Sequence, residues 1–87
     1  MDEIPADAVA VDKGDKADLR YEAPANGAAY VYDVDDDRVV YVGRLQARER
    51  FVFDPAEGRA TLDGKTVLRS DLNPRHRYRL YFDRATR

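Results

Sequence analysis

The chain has 87 residues, of which 44% are hydrophobic and 37% charged, a composition that fits one small globular domain and leaves no room for a second core. It contains no cysteine and one histidine, which excludes disulfides, thiolate zinc centres, cysteine nucleophiles and every multi-histidine metal site. The net charge of −2 hides an asymmetry: eleven acidic and four basic residues precede Arg44, whereas six and eleven follow from there on. Such a bipolar chain either pairs acidic strands with basic ones or offers an anionic partner a basic side.

The first residues, Met1-Asp2-Glu3-Ile4-Pro5, show neither a basic nor an apolar leader segment, so no signal peptide is read there. Cytoplasm and cell envelope both stay open. No apolar run reaches the ~20 residues of a membrane-spanning helix. The whole of 1–87 is expected to be one domain, with 1–7 and 83–87 frayed.

Period-two alternation between turn residues dominates from there. Ala8 to Val11 reads as a first strand, ended near Lys13-Gly14-Asp15. Ala17, Leu19, Tyr21 and Ala23 alternate with polar residues as a half-buried strand would, and Pro24-Ala25-Asn26-Gly27 breaks the chain. Ala28 to Val34, a turn at Asp35 to Asp37, and Arg38 to Gly43 predict a β-hairpin. Leu45 to Arg50 could form one helical turn. Phe51-Val52-Phe53 is a short strand. Arg59 to Leu62 and Lys65 to Leu68 flank Asp63-Gly64, a pair suited to a primed turn because both residues tolerate positive φ. Arg77 to Phe82 closes the pattern.

Seven to eight short strands at this spacing predict an all-β fold, a small antiparallel β-sandwich. With an even hairpin loop, Ala29, Val31, Val40 and Val42 share one face, and Tyr30, Tyr32, Val34, Val39 and Tyr41 the other. Both faces are apolar, so the hairpin should lie centrally in its sheet. In the last strand Tyr78, Leu80 and Phe82 should be core, with Arg75, Arg77, Arg79 and Tyr81 pointing outward.

Leu72-Asn73-Pro74-Arg75-His76-Arg77-Tyr78 has the form L-x-P-x-x-x-Y, which resembles the corner between the fifth and sixth strands of fibronectin type III-like sandwiches. The resemblance implies that Leu72 plugs the core, Pro74 stiffens the crossover and the Tyr78 hydroxyl bonds backbone just upstream. The run Ala17-x-Leu19-x-Tyr21-x-Ala23-Pro24-x-Asn26-Gly27, then Tyr30-Val31-Tyr32, is similar to an earlier strand, turn and strand of that family, with Tyr21 where a Trp is usual. It implies a sandwich and, as role, contact with proteins or glycans. No strand pattern follows Phe82, so the family's last strand is missing or replaced, and an unpaired edge could support self-association.

Few constellations suggest chemistry. Asp33, Asp35 and Asp37 occupy positions one, three and five of a calcium loop, but Arg38 stands where a Gly is needed and Arg44 where a Glu is, so an EF-hand is excluded. A solvated acidic tip, with Asp33 facing Arg38, is the simpler reading. His76 sits between two arginines, the only serine is Ser70, and no G-x-S-x-G elbow or phosphate-cradling glycine loop occurs. No catalysis, cofactor or metal is expected.

Six tyrosines and twelve arginines are the most suggestive feature. Tyr30, Tyr32, Tyr41, Arg77, Arg79 and Tyr81 are the expected binding residues, since Tyr and Arg are enriched at protein hot spots. A protein partner or self-association is favoured. Single-stranded nucleic acid is the alternative, using Arg75, Arg77, Arg79 and Tyr81 to neutralise phosphates and stack bases. The pI of about 5.3 weighs against it.

Overall fold

The computed structural model describes residues 4–12, 18–69 and 72–85. It contains eight strands: β1 (Val9–Asp12), β2 (Leu19–Glu22), β3 (Gly27–Asp33), β4 (Arg38–Leu45), β5 (Arg50–Asp54), β6 (Arg59–Leu62), β7 (Lys65–Arg69) and β8 (Tyr78–Arg84). They form two antiparallel four-stranded sheets, ordered β1-β8-β3-β4 and β2-β5-β6-β7. The all-β, two-sheet expectation is met. The suggested helical turn over Leu45 to Arg50 is instead a reversal between β4 and β5. There the Glu49 N–H donates to the Gln46 carbonyl at 3.0 Å, and Arg48 takes a positive φ of 73°. No helix among the described residues is long and apolar enough to cross a membrane.

Two hairpins use one local device. Asp33 and Asp54 each end a strand, and the Oδ1 of each accepts the backbone N–H groups two and three residues on, at 3.0–3.3 Å. After each four-residue loop the chain turns through positive φ, 54° at Asp37 and 61° at Gly58, and re-enters the sheet at an arginine opposite the aspartate. The carboxylate mimics a turn carbonyl, and the left-handed residue restores the strand twist. At the third hairpin Asp63 and Gly64 both have positive φ, 49° and 85°, as the primed turn demands.

The core follows the alternation. Leu19, Ala29, Val31, Phe51, Phe53, Ala60, Tyr78, Leu80 and Phe82 are buried between the sheets. Aromatic pairs bridge the layers: Phe53 with Tyr78 at 5.2 Å, Tyr21 with Phe82 at 5.4 Å and Tyr41 with Phe51 at 5.6 Å. Such pairs contribute about 0.5–1.5 kcal/mol each beyond burial.

Several expectations change. The loop between β3 and β4 is even, and Asp33 does oppose Arg38, with Tyr32 opposing Val39. A β-bulge then inserts Val40, so Val31 opposes Tyr41 and Tyr30 opposes Val42. Beyond the bulge Tyr41 turns inward and Val42 outward, reversing their assigned faces. Val34 leaves the strand for the loop. Within the hairpin β3 is central in its sheet, whereas β4 is an edge. The last strand is not terminal in its sheet: β8 lies between β1 and β3, and β1 fills the place beside it. Residues 83 and 84 are not frayed, because Asp83 and Arg84 pair with Ala28 and Gly27. Expectations for residues 1–3, 13–17, 70–71 and 86–87 lie outside the described residues.

Candidate binding face and the Asp33–His76 corner

Because Ala29, Val31, Leu80 and Phe82 point to the core, their neighbours Tyr30, Tyr32, Arg79 and Tyr81 point away from the second sheet. The register makes them adjacent. Tyr30 lies directly opposite Tyr81, with Val42 on its other side and Ala10 beyond Tyr81, a row across all four strands. The next row is Arg79, Tyr32 and Val39. Tyr32 and Tyr81 meet edge to face at 6.3 Å. The three tyrosines are partly exposed and Arg79 is exposed; Val42 is 38% exposed. The Tyr32 hydroxyl donates to Asp37, and that bond raises its pKa above the ordinary tyrosine value.

Four of the six expected residues, Tyr30, Tyr32, Arg79 and Tyr81, thus assemble on one face. Tyr41 does not: its ring stacks on Phe51 at the inner face, and burial raises its pKa. Gly43 makes this possible, since a side chain there would run into the Tyr41 ring, its Cβ falling 2.6 Å from Cζ. Arg77 is exposed but lies before β8. Its backbone N–H donates to Asp35 Oδ2 at 2.6 Å and its guanidinium to Asp35 Oδ1 at 3.3 Å. The Arg77 backbone bond is the main reason the Asp35 carboxyl falls below its ordinary pKa.

The acidic tip and the corner loop form a second cluster. Asp33 is buried, 2% exposed, because its parity continues that of Ala29 and Val31. Its Oδ2 lies 2.8 Å from His76 Nδ1 while Oδ1 accepts the Asp35 and Asp36 N–H groups. The bond to Asp33 raises the His76 pKa above the ordinary 6.5. Beside it, the Tyr78 hydroxyl donates to the Asn73 carbonyl at 2.8 Å, and the Val34 N–H donates to the Arg77 carbonyl at 2.9 Å. Leu72 packs against the core.

This arrangement fastens the β3–β4 tip to the loop before β8. The calcium-loop spacing is not used as such: Asp33 turns to His76, Asp35 to Arg77 and Asp37 to Tyr32. Asp33, Asp36 and His76 do bring one nitrogen and two oxygens within 4.8 Å of one another. However, both Asp33 oxygens already accept N–H donors. Ser70 lies outside the described residues. Sequence reasoning missed the Asp33–His76 bond. The available signal was an aspartate at a core-facing position, which must find donors.

No protein-family model, curated protein or solved structure matches the chain.

Proposed function

We propose that the chain is a non-catalytic binding or structural module that contacts another protein or glycan through the outer face of the β1-β8-β3-β4 sheet. The observation that carries this reading is the adjacency of Tyr30, Tyr32 and Tyr81 beside Arg79, directed away from the core. Rings held by cross-strand neighbours lose little entropy on binding, and tyrosine presents both an apolar face and a hydroxyl. The Tyr78 hydroxyl bond to Asn73 supports kinship with fibronectin type III-like domains, whereas β1 in the place of that family's last strand departs from their pattern. The nucleic-acid alternative is weakened because Arg77 is occupied by Asp35.

The test is photo-crosslinking inside the source cell. A benzophenone amino acid replaces Tyr30 or Tyr81, and Thr66, exposed on the other sheet, serves as control. The expected result is a discrete adduct from positions 30 and 81 and none from 66; an adduct of twice the chain mass identifies self-association. Equal labelling from all three positions, or none from 30 and 81, contradicts the reading.

A further inference from the structure

An open cavity of about 520 Å³ lies where β3 begins and where β4 and β8 end. That volume falls within the range of small-molecule sites. Its lining includes Asn26, Ala28, Arg44, Gln46 and Asp83. The register explains its shape. Ala28 lies opposite Arg44 on one side and Asp83 on the other, so a methyl group separates two side chains of opposite charge. With strands about 4.8 Å apart, their Cα atoms stand roughly 10 Å from each other. Among the described residues neither Arg44 nor Asp83 has an ion-pair partner. The Asn26 Oδ1 accepts the Ala47 N–H at 2.8 Å, which leaves its NH₂ group to donate.

The chemistry of this lining is specific. One cation and one anion cancel, so a phosphate or a polyamine gains little. Guanidinium and amide donors face a carboxylate acceptor across a short gap. A hydroxyl answers both, being at once donor and acceptor. Two residues along the same strands stand Tyr30 and Tyr81, whose rings offer flat apolar surface to the C–H side of a sugar ring. A peptide is less well served: the lining holds only small apolar groups, Ala28 and Ala85, besides the buried Leu45, with no recess for a large side chain.

We propose that this cavity, together with Tyr30 and Tyr81, binds a neutral oligosaccharide, Asp83 accepting from its hydroxyls and Arg44, Asn26 and Gln46 donating to them. The proposal rests on the contact face described above and names its ligand class.

Amide NMR titration with cellohexaose, xylohexaose, mannohexaose and chitohexaose tests it. At least one should produce saturable shifts at Ala28, Gln46 and Asp83, continuing to Tyr30 and Tyr81. Arg44→Ala and Asp83→Ala should each weaken that sugar about tenfold or more, with unchanged spectra elsewhere. No saturable shift from any of the four at about 10 mM overturns the proposal. So does a sugar that binds the two alanine variants as well as the parent. Shifts confined to Tyr30, Tyr32 and Tyr81 overturn the cavity but uphold the face. Adducts to a protein at positions 30 and 81, with no sugar response, do the same.

Discussion

Replacing Asp33 with alanine should lower stability by about 3 kcal/mol, because hydrogen bonds to a buried charged group are worth roughly 1.5–3 kcal/mol each and Asp33 accepts three. The full sum is not lost, since the Asp35 and Asp36 N–H groups lie at an exposed tip where water can replace the carboxylate. For a domain of this size the melting temperature should fall by roughly 12–24 °C. Total stability is expected at about 4–13 kcal/mol, so the loss is between about a quarter and three quarters of the whole.

The same bond sets a pH dependence with a definite sign. The folded state raises the His76 pKa above the ordinary 6.5, chiefly through the hydrogen bond to Asp33. Folding therefore binds the His76 proton more tightly than the unfolded chain does. That contribution is complete below pH 6.5 and disappears as pH rises through the raised value. Denaturant unfolding across pH 5 to 9 should show it in the parent. Asp33→Asn keeps an acceptor for the two backbone groups but removes the charge, so its profile over that range should be flatter. An unchanged profile, or an Asp33→Ala variant as stable as the parent, contradicts the fastening of tip to corner.

Gly27→Ala is the second large effect, expected to cost about 2–3 kcal/mol by overpacking. Gly27 opens β3 and faces Phe82. An added Cβ would fall 2.6 Å from Phe82 Cζ and closer still to the Asp83 carbonyl oxygen. Backbone cannot swing aside as a flexible side chain does, so the start of β3 must part from β8. Gly64 is the control. It has a positive φ of 85° but nothing within 4 Å of the Cβ position, so alanine there pays only backbone strain of about 1 kcal/mol. Thermal melts of the two variants should differ clearly. A Gly27→Ala melt equal to the Gly64→Ala melt would show that β3 and β8 are not so close.

Much of this fold was legible because extended strands alternate strictly. Tyr78, Leu80 and Phe82 went inward and Arg79 and Tyr81 outward, as parity required, since β8 is unbroken along its pairing with β3. The same rule failed in β4 for a physical reason. Val39-Val40-Tyr41-Val42 are all good strand formers, so nothing marks which residue is the inserted one. The bulge at Val40 reversed Tyr41 and Val42 and removed one tyrosine from the outer face.

The contact face was legible in part, since Tyr30, Tyr32, Arg79 and Tyr81 follow from parity alone. Their adjacency did not, because β3 and β8 are brought together only by the fold. Long-range partners were likewise hidden. His76 is 43 residues from Asp33, and Arg77 is 42 from Asp35. The cavity depends on Arg44, Ala28 and Asp83 lining up across three strands, which no local pattern announces. The loops were legible, since an aspartate with donors two and three residues on is a local bargain.

The most direct measurement is the network of ring-to-ring nuclear Overhauser effects among selectively labelled aromatic residues. The register predicts contacts of Tyr81 with Tyr32 and with Tyr30, and of Tyr41 with Phe51. Contacts from Tyr41 to Tyr30 or Tyr32, with none to Phe51, would restore the unbulged register and dissolve the outer face as drawn.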